Sequence, residues 1–207
     1  MRREVETGAP LALLLGSAGA LALAPLLMPD SYDWVEHTTS ESGAQAVDGA
    51  WLARLGLLLF GLAVLAVAAG AAARWGPRPS ALHRVFGVGM IAAAAFASRS
   101  WEEGAPYDST EDVLHSTAAT VIGFSFVFGV LAVVVTRREA GESLRVFDVV
   151  AIAAAAALPV ANVVDDSVAG LLQRIMFTIA YVWYGREALV DLFSARSTAE
   201  VGVRERR

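Results

Sequence analysis

Thr7 to Pro29 contains no charged residue, and neither does Leu55 to Ala73. Runs of that length restrict the fold of this chain more than any other feature. A bilayer core takes roughly 20 apolar residues as helix. Shorter uncharged runs follow at Val85 to Ser98, Val149 to Val164 and Ile175 to Gly185, while Val113 to Thr136 contains only His115 as a titratable group. In lipid every backbone polar group needs an internal partner, so only helices and closed barrels span a membrane. Barrel strands alternate over ~10 residues, and these runs do not. The third and fifth segments reach full length when flanking arginines snorkel. The sixth runs from about Ser167 and carries Arg174 within it.

Charge orients the segments. All sixteen basic residues are arginine. With the N-terminus on the cytoplasmic side, thirteen of them fall inside and only Arg54, Arg99 and Arg174 outside. Acidic residues lean the other way, leaving the outer face near −9 and the inner near +4. The positive-inside rule then places both termini in the cytoplasm, and that parity requires an even number of crossings. The expected fold is all-α: a polytopic membrane protein with a six-transmembrane-helix bundle over 1–193. Its helices are expected at about 9–29, 51–73, 84–100, 113–135, 147–164 and 168–187, with 194–207 a flexible cytoplasmic tail. Two longer outer loops, Asp30 to Ala50 and Arg99 to Asp112, form a cap. The expected location is the cell membrane, multi-pass. The first segment also reads as a signal peptide, with Arg2 and Arg3 before an apolar run, but its uncharged stretch is long for that. Tyr32, Trp34, Trp51, Trp101 and Tyr107 read as an outer aromatic belt, and Trp75, Tyr181, Trp183 and Tyr184 as an inner one.

Composition removes several functions. With 56% hydrophobic residues and a mean hydropathy of +0.54, the chain exceeds the about 45–50% apolar content of soluble domains. It has no cysteine, which excludes disulfides, thiolate ligands and thiol nucleophiles. No basic stripe interleaves with aromatics, so nucleic acid is not an expected partner. Lysine-free, acidic, alanine-rich usage is halophile-like, and codon bias produces the same pattern.

The chemistry-bearing residues gather on the outer face. Arg54, Arg99 and Arg174 lie at outer helix ends, where charge is costly unless paired or hydrated. Glu41, Asp48, Glu103, Asp112 and Asp166 are the expected partners. The set Arg54, Arg99, Arg174, Glu41 and Asp166 reads either as ion pairs that fix the bundle or as a site for an anion or lipid headgroup. His115 follows Asp112 by three positions and Glu111 by four, which puts imidazole and carboxylate on one helix face. His115, Asp112 and Ser40 are therefore the candidate catalytic residues. His115, Asp112 and His37 are the candidate ligands of a divalent metal. No His-Glu-x-x-His motif supports a metal, no cofactor is favoured, and a hydrogen-bonded structural histidine is the simpler reading. Trp51-Leu52-Ala53-Arg54-Leu55 and Leu171-Leu172-Gln173-Arg174-Ile175 echo one another weakly, each setting an arginine at an outer helix end.

Several elements together resemble the uncharacterised six-helix membrane family called domain of unknown function 998. They are Ser40-Glu41-Ser42-Gly43 followed by Trp51-Leu52-Ala53-Arg54-Leu55-Gly56, then Asp112-Val113-Leu114-His115-Ser116, then Gly170 to Ile175 with Trp183 beyond. The resemblance implies the topology above and no settled activity. A remoter likeness is to intramembrane metal hydrolases of the ceramidase and progestin-receptor group, which need several convergent histidines. The expected role is a non-enzymatic accessory, assembly or lipid-binding module. Its partners would be membrane lipid, another membrane protein or a second copy of the chain. An intramembrane metal-dependent hydrolase acting on lipid or amide is the alternative, and a small transporter the second.

Overall fold

The computed structural model describes the backbone of residues 2–204 and the side chains of residues 8–193. Among them there is no strand. The helices are α1 (Arg2–Leu23), α2 (Ala50–Gly70), α3 (Ala72–Trp75), α4 (Pro77–Ala95), α5 (Ser109–Glu139), α6 (Val146–Val164) and α7 (Ala169–Arg204), with short 3-10 turns at Ala24–Leu27, Glu41–Gly43 and Asp166–Val168. The expected tail 194–207 falls outside the residues whose side chains are described.

Local chemistry sets the boundaries. Pro77 opens α4, where its fixed φ fits and its missing N–H costs nothing. Asp108 caps α5 by accepting from the N–H groups of Thr110 and Glu111, and Arg137 and Arg138 occupy its last turn, where a cation complements the helix dipole.

Among the described residues four stretches are long and apolar enough to cross a membrane: Gly8–Leu27, Ala50–Gly70, Ser109–Glu139 and Val146–Val164. Outward-facing apolar side chains are abundant. Leu15 is 74% exposed, Phe124 62% and Val163 87%, an arrangement that suits lipid and not water. The protein is thus a helical protein with several apolar membrane-type helices.

α2 is the central pillar. Ala53, Leu57, Phe60, Val64 and Val67 recur at helical spacing and are buried. Phe60 meets the rings of Phe86, Phe177, Tyr181 and Tyr184 at 4.3–6.0 Å. α2 and α4 cross where glycines face each other; a Cβ on Gly61 would stand 2.6 Å from the Gly87 carbonyl oxygen. Only a side-chain-free crossing permits that approach, the usual basis of helix association in lipid. α6 lies at the edge, and its buried residues are Asp148 and Ala151 alone.

Hydrogen bonds sort the connections into two ends. Residues 28–49, 96–108 and the start of α7 bond to one another. α3, the α5–α6 connection and Glu187 meet at the other end. These are the long-loop end and the short-loop end.

Candidate functional site

At the long-loop end the arginines do not find the expected carboxylates. Arg54 donates through Nε to the Gly43 carbonyl at 2.8 Å and through Nη2 to that of Ala44 at 3.2 Å. Arg174 donates to the carbonyls of Trp34 and His37 at 2.6 and 2.9 Å and to the Tyr32 hydroxyl at 2.6 Å. Its guanidinium also lies over the Trp34 ring, 5.8 Å from the centroid. The two echoing segments therefore do the same work: each sends an arginine to the backbone of residues 34–44. Arg99 is exposed and has no side-chain partner among the described residues. Glu41 is used locally, accepting from the N–H and hydroxyl of Thr38 at 2.6 and 2.9 Å, and Asp166 is exposed in its turn.

The first long loop also caps α7. The N–H groups of Gly170 and Leu171 donate to the carbonyls of Glu36 and Val35, filling orphan positions at a helix start. A side chain at Gly170 would collide with the Trp34 and His37 carbonyls, so glycine is required for this contact. Burial pushes the Tyr32 phenol up, and the Arg174 charge beside it opposes that. The N–H groups of Val35 and Glu36 hold the Asp33 carboxyl below its ordinary value.

His115 and its neighbouring acids form a backbone clamp. Past Ala95 the chain is extended, and its polar groups need partners. Glu111 accepts from the Ala97 N–H at 2.7 Å, Asp112 accepts from the Arg99 N–H at 2.8 Å, and Nδ1 of His115 lies 2.8 Å from the Phe96 carbonyl. A carbonyl only accepts, so Nδ1 carries the proton. The other nitrogen, Nε2, is buried without a partner. Asp112 thus faces a backbone N–H and not the imidazole. His37 accepts at Nδ1 from the Asp33 N–H and stacks on Trp101 at 5.1 Å. Ser40 is tied to α7, its N–H donating to Oε1 of Gln173 at 3.2 Å. Among the described residues no three His, Asp or Glu side chains converge to hold a metal ion.

The densest polar cluster lies at the other end and was not expected from the sequence. Arg137, 5% exposed, pairs with Asp148 at 2.9 Å and with Glu187, itself 3% exposed. Arg74 pairs with the second oxygen of Glu187 and with Asp191 at 2.7 Å. The indoles of Trp75 and Trp183 donate to Glu187 and Asp148 at 3.1 and 2.9 Å. Burial alone would push the Arg74 guanidinium down; the two carboxylates outweigh it and hold it above its ordinary value. Beneath the cluster His83 is sealed between Trp75, Trp183 and Tyr184, with Nδ1 2.8 Å from the Tyr184 hydroxyl. Trp75, Trp183 and Tyr184 are at most 1% exposed, so they are core side chains and not an interfacial belt. This network joins α3, α5, α6 and α7. Its sequence signal is slight: Arg74 beside Trp75, and Glu187 four positions after Trp183.

A cavity of about 780 Å³ separates α5, α6 and α7. Phe60, Phe86, Met90 and Phe126 form its depth, and Thr38, Asn162 and Gln173 stand at its long-loop end. Among the described residues no charged one lines it. Phe124 and Phe128 on one wall and Val160 and Val163 on the other are more than half exposed, so the cavity opens sideways between helices.

The profile of the family described as Protein of unknown function (DUF998) matches residues 3–188, nearly the whole chain, and the chain belongs to that family. No curated protein and no solved structure matches it.

Proposed function

We propose that this member of the DUF998 family is a non-enzymatic, six-span membrane module that holds a lipid tail in the cavity between α5, α6 and α7. α4 and α7 join the four strongly apolar stretches as crossings. Both termini lie in the cytoplasm of a cell membrane, as the arginine asymmetry requires, and the long loops close the outer face.

The single observation that carries this reading is the cavity itself. About 780 Å³ falls within the roughly 300–1,000 Å³ of ligand pockets. Water is a poor occupant of an apolar cavity, and an empty one forfeits dispersion contacts along its walls. A hydrocarbon chain entering sideways from the bilayer supplies both volume and chemistry. The residues with catalytic potential support a structural role, because His115, Asp112 and Ser40 each hold backbone or a neighbouring helix.

The test is lipid analysis by native mass spectrometry after exhaustive detergent exchange. The wild type is expected to retain lipid, and Ala155→Phe, which fills the cavity from α6, to lose it with its melting temperature preserved. Equal lipid retention in both proteins overturns the proposal, as does a wild type that carries none.

A further inference from the structure

The cavity has a direction, and its polar end is incomplete. We infer that its ligand is an uncharged amphiphile, one hydrocarbon chain carrying a hydroxyl or amide head whose hydrogen-bond donor meets Asn162. This rests on the reading of the cavity as a lipid site and adds the class of head.

The walls set the orientation. Phe60, Phe86, Met90 and Phe126 receive the far end of the chain, while Thr38, Asn162 and Gln173 surround the near end beneath the first long loop. The head therefore sits at the long-loop end.

The absence of charge among the lining residues sets the head's charge. A phosphate or carboxylate drawn in beside Asn162 would leave the headgroup water with no counterion, which is unfavourable at that depth. Arg174, the nearest cation in sequence to Gln173, is already occupied by Trp34, His37 and Tyr32.

The unmet hydrogen-bonding groups set its polarity. Thr38 is satisfied by Glu41. Gln173 exchanges bonds with Ser40 through both halves of its amide. Asn162 differs: its Oδ1 is buried and accepts from nothing. A buried acceptor without a partner is costly, so the complementary ligand brings a donor. A monoacylglycerol or a long-chain alcohol brings a donor without a charge; a fatty acid anion brings no donor, and an anionic lysophospholipid brings a charge that no lining residue balances.

Three probes of one chain length separate the outcomes: monooleoylglycerol, oleate and oleoyl-lysophosphatidylglycerol, titrated into delipidated protein in neutral detergent and read by displacement of a fluorescent chain analogue. Monooleoylglycerol is expected to bind wild type at least tenfold more tightly than either anion. Asn162→Leu is expected to weaken monooleoylglycerol binding and narrow that preference while keeping the fold, checked by thermal unfolding, and Asn162→Gln to restore part of it. Equal affinity for all three probes in wild type overturns the head assignment, as does an unchanged preference in Asn162→Leu. The cavity reading then still stands if Ala155→Phe loses every probe. Undiminished binding of every probe to Ala155→Phe, or no binding to wild type, overturns both.

Discussion

The two ends of the bundle use the same side chain in opposite ways. At the long-loop end Arg54 and Arg174 donate to neutral backbone carbonyls. At the short-loop end Arg74 and Arg137 meet buried carboxylates from other helices. A guanidinium on carbonyls organises a loop and asks no second charge to leave water. A guanidinium on buried carboxylates joins helices, but each partner becomes a liability once the other is removed. The first arrangement shapes the long-loop end; the second fixes how α3, α5, α6 and α7 register.

The comparison is most exposed at Glu187. Replacing it with Ala strips both Arg137 and Arg74 of a partner and is expected to cost about 3–5 kcal/mol, read as the largest fall in detergent melting temperature. A loss smaller than that of Arg174→Ala would break the contrast. Arg174→Ala is expected to cost about 1.5–3 kcal/mol, the range for hydrogen bonds to charged groups. Its distinctive sign is faster proteolysis within residues 30–45 while the short-loop end stays protected, measured by timed digestion with mass mapping. Arg99→Ala is expected to leave both readouts unchanged, since its side chain is exposed and holds nothing. A measurable destabilisation there would show that Arg99 holds a contact at the long-loop end.

The contrast also explains what the sequence revealed. Uncharged runs made the helices legible, because apolar length is a one-dimensional property. The two long polar connections were legible in the same way. Asp108 was not, because the helix was expected from 113 and it begins at Ser109 with Asp108 as its cap. The partners of the arginines were not. Glu41 was among the carboxylates expected to meet the arginines, yet it closes its own turn with Thr38. His115 and Asp112 share a helix face as their spacing required, but both serve the extended segment after α4, whose backbone needs were invisible before α4 was seen to end at Ala95. The short-loop cluster escaped for a related reason. Arg137 lay outside the expected helix 113–135, and Asp148 and Glu187 fell at the ends of 147–164 and 168–187, where a charge reads as facing water. In the structure α5 continues to Glu139 and α7 well past Glu187. Trp75, Trp183 and Tyr184 were misplaced for the same cause: an aromatic near a span's end reads as interfacial until a neighbouring helix covers it.

α6 is anchored at its first turn, where Asp148 takes bonds from Arg137 and Trp183. Beyond Ala151 none of its residues is buried. It is a cantilever, clamped at one root and loaded along its length by whatever fills the gap beside it. Protein packing therefore fixes the width of that gap less tightly than it fixes the crossing of α2 and α4, where Gly61 meets Gly87.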